Sequence, residues 1–177
     1  TEFKRKDTYK GSVFMDTVAI VTSSDKGSKG EREDKSGALI REIVEKSGFQ
    51  VKRYVVLPDE KELLKEEFRH LADELGVNLV LSTGGTGFSP RDITPEATKE
   101  IVERETPGIS EAIRMFSLNI TKRAMLSRAA SGIRKKTLIV NLPGSPKACK
   151  EALDFVLEDI KHGIDILNET AKECARK

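Results

Sequence analysis

Residues 79–98, "LVLSTGGTGFSPRDITPEAT", lead from an apolar run through a glycine-rich turn into a helix start marked by proline. This order predicts a buried strand, a loop and a helix, which is the repeating unit of an α/β fold. Glycine permits positive φ and lets backbone N–H groups approach an anion, so the loop fits either an anion-binding site or a structural turn. It lacks the GK[ST] of a P-loop, and Pro90 stands where a dinucleotide motif has its third glycine.

The same alternation of strand-like and helix-like segments extends in both directions from this stretch. Buried strands are predicted at residues 17–24, 50–57, 77–83 and 137–142, with a short strand or turn at 131–136. Helices are predicted at 36–48, 60–76, 94–104, 108–119 and within 143–169, with N-caps at Asp59, Thr94, Thr106 and Ser145. We therefore predict a three-layer α/β/α domain with a mostly parallel sheet over residues 17–177, behind an N-terminal extension, residues 1–16.

The composition excludes several classes of function. Lysine and arginine number 31 and aspartate and glutamate 29 among 177 residues, and the basic residues are scattered, so we predict no nucleic-acid partner. Cys149 and Cys174 lack CxxC spacing and neighbouring histidines, which indicates neither a zinc site nor a disulfide. No apolar stretch approaches the ~20 residues that span a bilayer, and the first residues lack a signal-peptide core. We expect a cytoplasmic protein with no membrane partner.

Three polar loops follow predicted strands: "SSDKGSKGERED" at 23–34, the glycine loop, and "NLPGSPK" at 141–147. Ligands of open α/β sheets bind beyond the carboxyl ends of the strands, so we predict that the three loops converge on one site. The helix after the glycine loop starts at Thr94, too far along for its dipole alone to hold an anion. The loop's own amides would have to do so.

Five motifs in order resemble the MogA/MoaB family of molybdenum-cofactor biosynthesis, which includes the N-terminal domain of gephyrin. They are "TSSDKGSKGEREDKSG", "LPDE", "STGGTGFSPRDITPEAT", "TPGISEAIR" and "AMLSRAASGIRKKTLIVNLPGSPKACKE", and the resemblance spans residues 17–167. TGGTG followed by RD and TPEA is most similar to the MogA branch. The resemblance implies a MogA-like α/β/α fold and a homotrimer. It also implies transfer of AMP from MgATP to the terminal phosphate of molybdopterin, with other proteins of that pathway as further partners.

The resemblance assigns the family's two essential acidic positions to Asp59 of "LPDE" and Asp92 of "PRD". Mg²⁺ prefers one or two carboxylates together with phosphate oxygens, so these two aspartates are the predicted catalytic residues and Mg²⁺ ligands, with ATP as co-substrate. A structural interpretation stays open for each residue. Asp59 could be an ordinary helix N-cap, and Asp92 could form a loop ion pair.

The resemblance also implies a set of substrate-binding residues. The glycine loop would supply amides and hydroxyls to phosphate, and Arg91 and Lys147 would neutralise its charge. The full set is Ser24, Asp25, Ser28, Thr83, Gly84, Gly85, Thr86, Gly87, Arg91, Asn141, Pro143, Gly144, Ser145 and Lys147. Ordinary turns also contain serine, aspartate and glycine, and Ser145 with Pro146 suits a helix start.

Two classes of function remain open at this stage. One is a MgATP-dependent molybdopterin adenylyltransferase, and the other is a non-catalytic molybdopterin-binding or scaffolding protein of the MoaB type. The presence of both Asp59 and Asp92 on matching motifs favours the enzyme. A generic nucleotide-binding module is a third interpretation, which only the glycine loop supports. We assign His70 and His162 to the surface, and Met115, Phe116 and Leu118 to a core or a subunit contact.

Overall fold

A computed structural model describes residues 15–170, in which six strands form one sheet. The strands are β1 (Thr17–Ser23), β2 (Gln50–Leu57), β3 (Leu79–Thr83), β4 (Arg104–Glu105), β5 (Ser131–Arg134) and β6 (Thr137–Leu142). Their order across the sheet is β2-β1-β3-β6-β5-β4. The pairs β1–β2, β1–β3 and β3–β6 are parallel, whereas β5 pairs antiparallel with both β6 and β4.

Helices cover both faces of this sheet. They are α1 (Asp25–Ser28), α2 (Lys35–Lys46), α3 (Lys61–Arg69) with a π-helical turn (His70–Glu74), α4 (Thr94–Ile101), α5 (Pro107–Leu118), a 3-10 segment (Lys122–Leu126) and α6 (Pro146–Leu167). One core cluster joins the sheet to α2, α5 and α6, and a second joins it to α3 and α4. Because the central strands are buried on both faces, β1, β3 and β6 are almost continuous apolar runs. The predicted three-layer α/β/α architecture is confirmed.

The structure corrects two details of the predicted helix starts and ends. Helix α4 ends at Ile101 rather than near residue 104, and the following Arg104–Glu105 form an edge strand that the pattern did not indicate. Thr94 is the first residue of α4 rather than its N-cap, which is Ile93. The Thr94 hydroxyl instead donates a hydrogen bond to the Gly84 carbonyl oxygen at 3.0 Å. This side chain therefore ties the helix to the glycine loop.

The other two proline-marked starts differ from each other. Ser145 caps α6 by accepting a hydrogen bond from the Ala148 N–H at 3.2 Å, as predicted. Thr106 occupies the N-cap position of α5, but its side chain makes no capping bond and its hydroxyl is buried without a partner among the described residues.

The parallel pairing brings three strand ends to one edge of the sheet. In register, Thr22 of β1 lies beside Thr83 of β3, which lies beside Leu142 of β6. The loops after these strands therefore begin next to one another. Within residues 15–170, no helix is both long enough and apolar enough to cross a membrane. The predicted extension, residues 1–16, and Cys174 lie wholly or almost wholly outside the described residues.

Candidate active site

A cavity of about 710 Å³ opens at the carboxyl edge of the sheet, where the polar loops meet. Its walls come from the ends of β1 and β3, the first loop, the glycine loop and the start of α6. The lining residues are Thr22, Ser23, Ser24, Gly27, Arg32, Glu33, Asp34, Lys35, Ser36, Asp59, Thr83, Gly84, Gly85, Asp92, Gly144 and Pro146. The predicted convergence of the three loops is confirmed.

Hydrogen bonds from α2 and β3 to the loop after β6 hold this cavity together. The Ser36 hydroxyl donates to the Gly144 carbonyl oxygen at 2.8 Å, which joins the start of α2 to the loop after β6. The Thr83 hydroxyl donates to the Pro143 carbonyl oxygen at 2.6 Å, which joins that same loop to the end of β3. The walls of the cavity are therefore fixed by contacts between elements far apart in the chain.

The glycine loop packs directly against β1 and Asp59. Gly84 and Gly85 have φ of 89° and 65°, in the left-handed region that favours glycine. A β-carbon on Gly84 would overlap the backbone carbonyl oxygen of Ser23. One on Gly85 would overlap the Thr94 hydroxyl and lie 3.4 Å from Asp59 Oδ1. Both glycines are thus required for the close approach of loop, strand and carboxylate.

Asp59 is held inside the site and does not cap a helix. Its Oδ1 accepts a hydrogen bond from the Ser23 hydroxyl at 2.6 Å, and its Oδ2 accepts one from the Asp25 N–H at 3.0 Å. In return the Asp59 N–H donates to Asp25 Oδ1 at 3.0 Å. Helix α3 begins two residues later, with Glu60 at its N-cap position. The N-cap interpretation of Asp59 is therefore wrong.

Asp92 faces the same cavity from the far end of the glycine loop. Its Oδ2 accepts a hydrogen bond from the Ser89 N–H at 3.0 Å, and a β-carbon on Gly87 would lie 2.9 Å from that oxygen. None of the ion pairs among residues 15–170 includes Asp92. Its neighbour Arg91 instead pairs with Asp25, at 2.9 Å from Nε and 2.8 Å from Nη2. The hydrogen bond from Arg91 lowers the pKa of Asp25.

A third cavity carboxylate, Asp34, was not among the predicted site residues. It caps α2 by accepting the Gly37 N–H at 2.9 Å, and its Oδ2 accepts the hydroxyls of Thr22 and Tyr54, each at 2.6 Å. Burial, together with the bond to Asp34, raises the pKa of Tyr54 above its ordinary value. Asp34 lies in the first quoted motif, but a carboxylate within a charged run gives no signal of its own.

The charge in the cavity favours a cation beside an anionic substrate. Its lining holds four carboxylates and two basic residues, Arg32 and Lys35, a formal excess of negative charge. No group of three or more metal-ligating His, Cys, Asp or Glu residues occurs in the described part of the chain. Asp59 and Asp92 nevertheless suit Mg²⁺, because this ion takes one or two carboxylates and completes its shell with water and phosphate oxygens.

A second, smaller cavity of about 230 Å³ adjoins the first across Gly144. It is predominantly apolar and is bounded by α5, the 3-10 segment and the loop after β6. Its lining residues are Thr86, Ile113, Arg114, Ser117, Thr121, Arg123, Ala124, Ser127, Pro143, Gly144 and Ala148. The site thus has a large compartment of mixed polarity and a small apolar one, which share Gly144.

Comparison with known proteins identifies this arrangement. Residues 19–162 match the protein-family model described as "Probable molybdopterin binding domain". The chain belongs to the molybdopterin-binding domain family. A molybdopterin adenylyltransferase of Helicobacter pylori (strain J99) is 40% identical over 152 residues, which are 85% of this chain and 86% of the relative. Gephyrin of Dictyostelium discoideum is 42% identical over 165 residues, which are 88% of this chain and 23% of gephyrin.

Solved structures of the family agree with the fold. The crystal structure of the molybdopterin biosynthesis enzyme MoaB from Thermus thermophilus is 46% identical in sequence and superposes with a TM-score of 0.82. The match covers 89% of this chain and 98% of that protein. The family and fold predicted from the five motifs are confirmed.

The structure of this molybdopterin-binding domain brings many predicted site residues together. The larger cavity is lined by Ser24, Asp59, Thr83, Gly84, Gly85, Asp92 and Gly144, and the smaller one by Thr86, Pro143 and Gly144. Gly87 lines neither cavity but adjoins the Asp92 carboxylate. Asp25 and Arg91 pair with each other, and Ser28 donates to the Asp25 carbonyl oxygen at 2.9 Å.

The remaining predicted residues line neither cavity, although Ser145 stands between two lining residues, Gly144 and Pro146. Asn141 is fully buried, where its amide donates to the hydroxyls of Ser82 and Thr98 and its oxygen accepts the Ala130 N–H. Ser145 caps α6. The Lys147 side chain is 85% exposed, with Glu151 at 3.9 Å. Asn141 and Ser145 therefore have structural roles: Asn141 joins β6 to β3 and α4, and Ser145 fixes the start of α6.

Proposed function

We propose that this protein transfers AMP from MgATP to the terminal phosphate of molybdopterin and releases pyrophosphate. The observation that carries the proposal is that Asp59, Asp92 and the glycine loop meet in one cavity. The name of the Helicobacter pylori relative supports it, since that protein is a molybdopterin adenylyltransferase aligned over most of both chains. A phosphate oxygen of molybdopterin would form the new bond to the α-phosphorus of ATP, and the bond to pyrophosphate would break.

The residues of this chain would bind and orient the two substrates and neutralise their phosphate charge. Nucleotidyl transfer needs positioning and charge stabilisation above all. The hydroxyl of Ser24 and amides of the glycine loop would hold phosphate oxygens, while Arg32 and Lys35 attract the polyphosphate. Asp59 and Asp92 would hold Mg²⁺, which neutralises phosphate charge when bound. The smaller apolar cavity would take a flat heterocycle from one substrate while its phosphate lies at the glycine loop.

We also propose that the working form is the homotrimer implied by the family resemblance. An apolar surface on α5, the 3-10 segment and α6 supports this. Met115, Leu118, Met125 and Leu126 are 41–70% exposed, and Phe155, 47% exposed, stacks on Phe116 with ring centroids 4.4 Å apart. Copies of the chain would cover these side chains. Light scattering should give the mass of three chains, and a monomer mass in dilute solution would contradict the proposal.

The alternative is a non-catalytic molybdopterin-binding or scaffolding protein of the MoaB type. The 46% identity to a MoaB structure supports this alternative. Pyrophosphate release separates the two proposals. An adenylyltransferase releases pyrophosphate from MgATP only when molybdopterin is added. A scaffolding protein binds molybdopterin without releasing pyrophosphate. The assay should show molybdopterin-dependent release, and binding without release would support the alternative.

A further inference from the structure

Arg128 makes four contacts with the segment that carries the glycine loop and Asp92. Its backbone N–H donates to the Thr86 carbonyl oxygen at 2.9 Å. Its Nε donates to the Gly87 carbonyl oxygen at 2.7 Å, and its Nη2 donates to the Asp92 carbonyl oxygen at 2.6 Å. Its Nη1 donates to the carboxylate of Glu96 in the first turn of α4. One residue therefore makes hydrogen bonds with four different residues of the segment 86–96.

These contacts need the shape of arginine. A guanidinium presents its N–H groups in a rigid planar fork, and here the fork meets two carbonyl oxygens and one carboxylate at once. A lysine ammonium is a single point on a flexible stem, so it could serve one of these acceptors but could not span all three. Burial raises the pKa of Glu96, but the hydrogen bond from Arg128, a backbone bond and nearby positive charge together lower it. Glu96 is therefore a carboxylate partner at neutral pH.

None of the hydrogen bonds within residues 84–94 engages the carbonyl groups of Thr86 and Gly87. Between β3 and α4 the backbone of the loop pairs internally through Asp92 N–H to Ser89 O at 2.9 Å and Thr94 N–H to Gly85 O at 3.1 Å. The carbonyl groups of Thr86 and Gly87 point to Arg128 instead. Since C=O and N–H of a trans peptide unit point in opposite directions, fixing these two carbonyls also fixes the N–H groups of Gly87 and Phe88.

Arg128 also stands between the two compartments of the site. Thr86, which it holds through its backbone, and its neighbour Ser127 both line the smaller cavity. Asp92, which it holds by the carbonyl oxygen, presents its carboxylate to the larger cavity. A side-chain substitution at Arg128 leaves the backbone bond to Thr86 in place but releases the carbonyl groups of Gly87 and Asp92. It would therefore loosen the segment that carries the Asp92 carboxylate relative to the Thr86 wall of the smaller cavity.

We propose that Arg128 is a positioning residue for the adenylyl transfer: its guanidinium fixes the glycine loop and Asp92 relative to the smaller cavity. The inference rests on the proposed function. Arg128 acts through Asp92 and the loop and does not contact the reacting atoms. Because catalytic geometry is sensitive to displacements of about 1 Å, loosening this clamp lowers the rate of transfer far more than it lowers substrate affinity.

Arg134 offers a matched control within the same fold. Its Nε and Nη2 donate to the Asp73 carboxylate at 2.9 and 2.6 Å, and its Nη1 donates to the Ile101 carbonyl oxygen at 2.9 Å. It is also partly buried, and it joins strand β5 to the π-helical turn and to the end of α4, but it lines neither cavity. Arg134→Gln therefore removes a comparable set of bonds without touching the site.

The first test compares Arg128→Gln, Arg128→Lys and Arg134→Gln in steady-state adenylyl transfer and thermal unfolding. We expect both Arg128 variants to lose kcat by about 10- to 100-fold with KM little changed, the range for a reacting group displaced by up to about 1 Å. Arg134→Gln should keep the wild-type kcat, while its Tm falls by about as much as the Tm of Arg128→Gln. A fourth variant, Arg128→Ala, leaves space for a free guanidinium ion, and added guanidinium should restore part of its kcat. Wild-type kcat in Arg128→Lys, or equal losses in Arg128→Gln and Arg134→Gln, would overturn the proposal.

The second test does not depend on activity. Amide hydrogen exchange in residues 84–92 should accelerate in Arg128→Gln and remain as in the wild type in Arg134→Gln. Unchanged exchange in Arg128→Gln would overturn the proposal even if the wild type transfers AMP. If the wild type transfers no AMP, the proposed function fails, and the exchange rates still decide whether Arg128 fixes the loop.

Discussion

Asp59→Asn separates the charge of Asp59 from its structural role. The two hydrogen bonds that the carboxylate accepts can both survive this change. If the new side-chain oxygen faces the Asp25 N–H, the new amide faces the Ser23 hydroxyl, which can rotate to accept as well as donate. We therefore expect the folded structure to persist.

The cost in stability follows from the weakening of these bonds. A hydrogen bond to a charged group contributes about 1.5–3 kcal/mol and a neutral one about 0.5–1.5 kcal/mol, so two weakened bonds cost roughly 2 kcal/mol. In a domain of this size that loss lowers Tm by roughly 4–8 °C. Loss of the charge from the nucleotide site should lower kcat for adenylyl transfer by at least ~100-fold, equivalent to ~2.7 kcal/mol.

Ser23→Ala is the matched control, because it removes one of the same bonds and leaves the negative charge in place. Both variants should unfold at similar temperatures, as measured by circular dichroism. Initial rates of transfer, normalised to folded protein, should fall by less than about tenfold in Ser23→Ala, since removal of a single neutral hydrogen-bond donor has a modest effect. Equal losses of activity in the two variants would refute the claim that the charge of Asp59 takes part in the reaction.

Two further predictions concern stability. Gly84→Ala should lower the free energy of unfolding by at least about 1–3 kcal/mol, because the residue has positive φ and its β-carbon meets the Ser23 carbonyl. Gly144→Ala, whose β-carbon would lie 3.8 Å from Gly84 Cα, should change it by less than about 1 kcal/mol; equal losses in urea titrations would argue against close packing of the loop. Burial raises the pKa of Cys149 from 9.0 to about 11, so the free energy of unfolding should fall between those pH values. The fall is at most ~3 kcal/mol at about 1.4 kcal/mol per pKa unit, and Cys149→Ala should lack it.

The central strands could be predicted from the sequence because burial on both faces leaves a local pattern. β1 and β3 are nearly continuous apolar runs, and the cap at Ser145 depends on a residue three positions away. Strand β4 could not be predicted, because two charged residues have no strand pattern and pair only once β5 lies beside them. The Thr94 hydroxyl likewise takes a partner ten residues away, where a local capping rule does not apply.

The site shows the same division between local and distant contacts. The motifs singled out Asp59 and Asp92, and both line the cavity at the carboxyl edge of the sheet, although only the loop of Asp92 was among the three predicted to converge. The partners of Asp59 lie 34 and 36 residues away, so its pattern alone could not distinguish a cap from a site residue. Asp25 and Arg91, 66 residues apart, were each assigned to substrate, and the structure pairs them with each other.

The proposed reaction is tested most directly by identifying its product. Purified protein is incubated with molybdopterin and MgATP, and the mixture is analysed by mass spectrometry for adenylyl-molybdopterin and by an enzymatic assay for pyrophosphate. Asp92→Asn, which is nearly isosteric but uncharged, serves as the matched variant. We predict equal amounts of both products from the wild type and a loss of at least ~100-fold in the folded variant. Molybdopterin that binds but stays unmodified, or near-normal turnover in folded Asp92→Asn, would contradict the proposed function.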